Sequence, residues 1–219
     1  ALHHVLVRHE QAAAHAADGY ARATGKVGVC VATSGPGATN LVTGLATAFM
    51  DSTPIVAITG QVARPFIGRD AFQETDVIGV TQPITKHNFL VQRVEDLADI
   101  VHEAFQLARS GRPGPVLIDV PKDVQFSKTG YRSSASAEYC CTSQVREPSA
   151  TAIASAAQLI AATKCPVIMS GHGVILSNAY EELLAFAEKT NIPVITTLLG
   201  LSAFPETHPL SLGMPGMHG

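Results

Sequence analysis

The chain has 219 residues, 46% of them hydrophobic and 15% charged, enough apolar material for one large domain or two of ordinary size. A formal net charge of -3 and a pI near 6.3, with no dense Lys/Arg run, remove the electrostatic case for nucleic acid or an anionic membrane and favour small-molecule ligands. No stretch approaches the roughly 20 apolar residues of a membrane span, and the opening ALHHVLVRHE lacks the regions of a secretory signal.

In chain order, short β-branched runs alternate with helical stretches, the pattern of a parallel sheet with crossover helices, so the fold class is α/β. Strands are predicted at HVLVR (4–8), GVCVAT (28–33), PIVAITG (54–60) and PVLIDV (115–120). Each is a nearly continuous apolar run, as for strands covered on both faces. Between the first two, a helix opens near Glu10. Its flank of Ala12, Ala13, Ala14, Ala16 and Ala17 suits close approach to another surface, such as a subunit or domain interface.

Further on, VEDLADIVHEAFQLARSG places Leu97, Ile100, Val101, Ala104, Phe105 and Ala108 on one helical stripe. Residues 127–148 lose this periodicity and gain Ser, Thr and Gly, which predicts a linker. A second unit follows, with a helix near 150–163, a strand at 166–171, a helix near 178–190 and a strand at 193–198. Two such repeats are fewer than the about five or six strands of a doubly wound sheet. With a start lacking Met and an end at GMPGMHG, the sequence is expected to be a piece of a longer protein. Cys30, Cys140, Cys141 and Cys165 form no CxxC pair and read as reduced intracellular thiols.

Ligands of open α/β sheets bind beyond the carboxyl ends of the strands. Three first-unit strands are followed by distinctive segments: HEQ, SGPGATN (34–40) and GQVARPFIGRDAFQE. In SGPGATN, Gly35 and Gly37 flank Pro36. A helix is predicted from Ala38 or Thr39 with Asn40 in its first turn, which would turn free N–H groups toward a ligand. The segment is neither a Walker loop nor GxGxxG, and a plain tight turn explains it equally well. Glu10 is the one acid near the first strand's end, and both a helix-end charge and a catalytic carboxylate fit it. His3 and His4 would face opposite sides of a strand, so no metal site is predicted. Arg112 in SGRPGP and Lys122 in VPKDV read as solvated residues, and SGHGV (170–174), following a strand, reads equally as a turn that approaches a nucleotide and as a plain turn.

Taken jointly, RHEQAAAHAADGYAR, ATSGPGATNLVTGLATAFMDSTPIVAITGQV, GRDAFQETD, ITKHNFLV and SGRPGPVLIDVPKDVQ resemble the catalytic subunits of the acetolactate (acetohydroxyacid) synthase family, which are thiamine diphosphate and FAD enzymes. The resemblance runs along the whole chain and is densest over 4–126. It implies a parallel-sheet pyrimidine-binding domain at 1–126 without its first strand, and a linker at 127–148. The N-terminal part of a Rossmann-like, FAD-contacting central domain would follow at 149–219. The activity implied is that of a transferase: it decarboxylates pyruvate and adds the two-carbon unit to a second pyruvate or to 2-oxobutanoate, in branched-chain (valine and isoleucine) amino acid synthesis.

By the same resemblance, Glu10 hydrogen-bonds N1′ of the aminopyrimidine as a catalytic residue, and Gln73 lies near the reacting carbon. Pro36, Gly37 and Asn40 correspond to the thiamine pocket, and Ala63, Phe72, Gln73 and Lys122 to the substrate channel. Arg112, Gly171, Gly173, Thr197, Leu198, Met217, His218 and Gly219 correspond to FAD contacts. The Mg²⁺ site is expected in a C-terminal domain outside this chain, so the chain alone is expected to be inactive. The parent is expected to be a homodimer or tetramer, with or without a regulatory subunit, in the cytoplasm or in a eukaryotic plastid or mitochondrion.

Two positions depart from the family pattern. Ala63 replaces the proline of GQVP, at a channel mouth associated with herbicide binding, and His172 replaces the middle glycine of a three-glycine run. Two alternatives stay open: another FAD and thiamine diphosphate enzyme, either a carboligase or a pyruvate oxidase, and a non-catalytic nucleotide-binding module. Against the last, a pure FAD binder has no need of a carboxylate at Glu10.

Overall fold

The computed structural model describes residues 3–130 and 147–217. The chain divides into two compact units, Ala1–Gln144 and Val145–Gly219. In the first, α1 (Glu10–Thr24) leads to β1 (Gly28–Ala32), the short α2 (Pro36–Thr39), α3 (Val42–Met50) and β2 (Ile55–Gln61). A loop with a 3-10 turn at Arg64–Phe66 precedes α4 (Val77–Thr81), β3 (His87–Leu90), α5 (Leu97–Arg109), β4 (Val116–Pro121) and α6 (Lys122–Phe126). The four strands form one parallel sheet in the order β1-β2-β4-β3. A parallel α/β sheet is therefore the fold of this unit, as its alternating pattern predicts.

Local chemistry sets the ends of α1. The extended His9 caps its start, Nδ1 accepting from the Gln11 N–H at 3.1 Å, and Gly25 ends it at φ +68° with its N–H on the Ala21 carbonyl. The helix lies almost against the sheet because its contact residues are small. A Cβ on Gly28 would stand 2.1 Å from the Ala17 carbonyl oxygen, and one on Gly44 2.4 Å from the Ala14 Cβ. Ala14, Ala17 and Ala21 thus spend their smallness on contacts inside the unit, whereas Ala12 and Ala16 stay exposed. Arg22 then ties the helix to the end of α3, bonding Asp18 at 2.9 Å and Asp51 at 2.7 Å.

Each face of the sheet carries its own core. Leu41, Leu45, Ile55, Ala57 and Leu117 gather on one side, and Val56, Val116, Ile118, Ala104 and Ala108 on the other. Fully burying each of the larger side chains stabilises the fold by about 1.5–3 kcal/mol. The predicted α5 stripe packs as expected, with Ala104 and Ala108 buried and Leu97, Ile100, Val101 and Phe105 beside them.

Three local expectations fail for physical reasons. Residues 4–8 are not a strand: Val5 and Leu6 are exposed, and among the described residues no strand lies beyond β1 to receive their backbone hydrogen bonds. The strand at 28–32 is covered on one face only. Helix α5 packs over β2, β3 and β4 and leaves Val29 and Val31 of the edge strand open. The helix after SGPG begins at Pro36 rather than Ala38, and Asn40 is its C-cap, because proline suits the first helical position. Strand β3 was not predicted, since His87 and Asn88 mask the apolar period of HNFL.

The second unit contains α7 (Ala150–Ala162), β5 (Ile168–Ser170), α8 (His172–Leu176), α9 (Tyr180–Thr190) and β6 (Val194–Thr196). The two strands pair in parallel, and residues 210–213 run along β6, with Leu212 N–H donating to the Val194 carbonyl and Thr196 N–H to that of Gly213. Ala187, Val194 and Phe204 form its core with Ile168, Leu183, Leu184 and Leu210. In SGHGV, β5 ends at Ser170 and His172 opens α8.

Candidate functional site

The carboxyl ends of β1, β2 and β4 and the start of α1 gather most of the first unit's candidate residues. Glu10 is the first residue of α1, and its Oε2 accepts from the Asn40 amide at 2.9 Å. This bond and the residue's own N–H, with a lesser contribution from His9, hold the carboxyl below the ordinary glutamate range against the opposing effect of burial. Glu10 is therefore ionised at neutral pH. Its other oxygen faces Gly37, where a Cβ would stand 3.3 Å from Oε1 and 2.7 Å from the Thr33 methyl. Only glycine fits in that buried space. Pro36 is exposed beside it at the start of α2.

The loop after β2 folds back onto this turn. Gly35, at φ +62°, meets Gln73, at φ +59°: a Cβ on Gly35 would lie 2.7 Å from the Gln73 carbonyl oxygen. Phe72 stands 88% exposed next to it. Ala63 caps the turn at Arg64–Phe66, and Arg64 binds Asp123 through its N–H at 3.0 Å and Nε at 2.7 Å. That pairing brings Ala63 near Lys122, the exposed first residue of α6.

Sequence reading passed over the polar cluster beneath the loop. Asp119, fully buried on β4, accepts from Thr59 Oγ1 at 2.7 Å and Gln61 Nε2 at 3.0 Å. Gln61 also donates to the Thr75 carbonyl at 2.9 Å, while its Oε1 accepts from the Val62 N–H. Both ends of the loop are thereby fastened to the sheet. Burial pushes the Asp119 carboxyl up to about 6; Thr59 and Gln61 oppose the rise and Asp76 adds to it. The signal was present in PVLIDV: an acid inside an apolar strand needs partners on the neighbouring strand.

Other candidates lie apart. Arg112 precedes β4 and so sits at the amino ends of the strands, bonding Ser52 Oγ at 2.7 Å and the Met50 carbonyl at 2.9 Å beyond α3. In the second unit, Gly171 and Gly173 follow β5, and Thr197 and Leu198 follow β6. The Thr197 N–H donates to the Ser170 carbonyl at 2.9 Å, which joins the two strand ends. Ser170 is buried, and its Oγ has no partner among the described residues. Met217 is exposed beyond Gly213, and His218 and Gly219 lie outside the described residues. Among the described residues no group of three His, Cys, Asp or Glu is placed to hold a metal, and no helix is long and apolar enough to cross a membrane.

Comparison with known proteins gives the class of this site. Residues 1–80 match the family "Thiamine pyrophosphate enzyme, N-terminal TPP binding domain", and residues 153–219 match "Thiamine pyrophosphate enzyme, central domain". The chain belongs to the thiamine pyrophosphate enzymes.

Within that class its similarity is to acetolactate synthases. It is 56% identical over 218 residues to the acetolactate synthase large subunit of Corynebacterium glutamicum, matching all of this chain and 35% of the relative. It is 55% identical over 226 residues to the probable large subunit of Methanocaldococcus jannaschii, again over all of this chain and 37% of the relative. The acetolactate synthase of Arthrospira platensis is 54% identical over 220 residues, with 38% of its length matched. The chain thus spans little more than a third of the length of these curated relatives.

Proposed function

We propose that the whole protein is an acetolactate synthase. It would release carbon dioxide from pyruvate and join the remaining two-carbon unit to a second pyruvate or to 2-oxobutanoate, giving 2-acetolactate or 2-aceto-2-hydroxybutyrate for valine and isoleucine synthesis. The observation that carries this reading is the Glu10 carboxylate, ionised, oriented by Asn40 and packed beside Gly37 at the carboxyl ends of the strands.

When bound, thiamine diphosphate supplies an acidic carbon and an electron sink. The residues present fit it: at the carboxyl ends of the strands Glu10, held by Asn40, offers an anionic acceptor to a ring nitrogen. Asn40 occupies Oε2, so Oε1 is left to share a proton with that nitrogen. A closed site would exclude water and strengthen the sharing, an effect worth roughly 10²- to 10⁴-fold in rate. Pro36 and Gly37 would wall the ring, while Ala63, Phe72, Gln73 and Lys122 would border the path of the 2-oxo acid.

FAD would bind at the second unit's strand ends, where Gly171 and Gly173 let a nucleotide near the backbone and Thr197, Leu198, Met217, His218 and Gly219 would complete the contacts. Arg112 is assigned to FAD on the resemblance alone. Mg²⁺ would anchor the diphosphate, and a homodimer would complete the site.

The test is Glu10→Gln in the full-length enzyme. Acetolactate formation should fall by about 10²-fold or more with FAD content unchanged. Activity within a few-fold of the parent would overturn the proposal.

A further inference from the structure

Residues 68–74 form a loop with positive φ at Gly68 (+78°), Asp70 (+53°) and Gln73 (+59°). Asp tolerates such backbone through its short polar side chain, whereas Gln gains no such local compensation. Something outside Gln73 must therefore hold it there. Glu74 is the one side chain that closes this loop on itself. Its Oε1 accepts from the Gly68 N–H, and its Oε2 accepts from the Ala71 N–H at 2.9 Å and the Arg69 N–H at 3.4 Å. In return the Glu74 N–H donates to the Ala71 carbonyl at 2.9 Å.

Across the loop, the Gln73 backbone is pressed on Gly35, with 2.7 Å between its carbonyl oxygen and the position of a Gly35 Cβ. Gln73 is thus clamped between the turn after β1 on one side and a carboxylate-centred ring of amides on the other. These amides also hold the Glu74 carboxyl below the ordinary glutamate range, so the ring persists at neutral pH.

We infer that Glu74 is a positioning residue for the 2-oxo acid: through the amides of Gly68, Arg69 and Ala71 it fixes the backbone that presents Gln73. The inference rests on the proposed role of Gln73 at the substrate path. Glu74 itself points into the loop and touches no reacting group. Replacing it with glutamine removes the charge and sets an amide group against N–H donors, so the loop would relax and Gln73 would leave its strained conformation. A misplacement on the order of 1 Å at a substrate contact can cost about 10²-fold in rate.

The experiment uses the full-length holoenzyme with Gln73→Ala, Glu74→Gln and the double variant, measuring kcat and KM for pyruvate, thiamine diphosphate affinity and thermal midpoint. Each single variant should lower kcat/KM about tenfold or more, with thiamine diphosphate affinity within about twofold of the parent. The double variant should be no worse than Gln73→Ala by more than about twofold, because both act through one side chain. Multiplying losses, or an unimpaired Glu74→Gln beside an impaired Gln73→Ala, would overturn the inference while leaving the substrate-path reading intact. An unimpaired Gln73→Ala would overturn that reading instead. Should Glu74→Gln not fold, Glu74→Asp takes its place: it keeps the charge, is too short to span the ring and is held to the same outcomes.

Discussion

Asn40 donates to Glu10 across thirty residues of sequence, Nδ2 to Oε2 at 2.9 Å, and this bond is the largest influence on the Glu10 carboxyl. It leaves one carboxylate oxygen occupied and the other turned toward Gly37. Removing the donor by Asn40→Ala should raise the Glu10 pKa, since the ionised form loses its best partner. In the full-length enzyme the acidic limb of kcat/KM should move to higher pH. The stability contributed by Glu10 is present above its unfolded pKa and lost as pH falls through its lowered folded pKa, so the variant should also lose less stability on acidification. An unmoved acidic limb would show that Asn40 does not tune Glu10.

Asp119 shows the opposite sign. Its carboxyl is raised from 3.8 to about 6, chiefly by burial, so the folded state holds the proton more tightly than the unfolded chain. Its contribution to stability is complete below about pH 4 and declines as pH rises to about 6, by on the order of 2 kcal/mol across that window. Asp119→Asn removes this titration. Urea melts at several pH values should show the stability difference between parent and variant changing between pH 4 and 6 in that direction; a constant difference would contradict it.

Contact of α1 with the sheet depends on glycines rather than on large side chains. Gly28→Ala would set a Cβ 2.1 Å from the Ala17 carbonyl oxygen, where the rigid backbone cannot give way. A loss of at least about 1–3 kcal/mol is expected. Gly19, inside the same helix, has nothing within 4 Å of its Cβ position. Gly19→Ala should therefore stabilise the unit by about 0.5–1 kcal/mol. Thermal melts of the two variants should move in opposite directions.

Ala63 has φ -60° and ψ 142°, backbone that proline adopts without strain. Its carbonyl accepts from the Phe66 N–H, and its own N–H bonds no described residue. Ala63→Pro should raise stability by about 0.4–1 kcal/mol by restricting the unfolded chain. A lower melting temperature would show that the loop needs freedom at this position.

Legibility differed from element to element. The α5 stripe was readable because Leu97, Ile100, Val101, Ala104, Phe105 and Ala108 repeat at helical spacing, and local period alone predicts one buried face. HVLVR looked equally regular yet forms no strand, because strand formation depends on a neighbour that local pattern does not reveal. At the site, DAFQE was visible as a segment. Its inward-turned Glu74 was not, since a glutamate that caps its own loop has the same composition as one in solvent.

By itself the sequence determined the alternation of strand and helix, the apolar stripes, and the segments that follow the strands: HEQ, SGPGATN and DAFQE. These depend on period and local propensity, which are properties of neighbouring residues. Tertiary structure decided the rest: that Asn40 reaches Glu10, that Gln73 lies on Gly35, and that Asp119 finds Thr59 and Gln61. Each of these joins residues roughly 30 to 60 positions apart, and only the shared carboxyl edge of a parallel sheet, to which every crossover returns, brings them within hydrogen-bonding or packing distance.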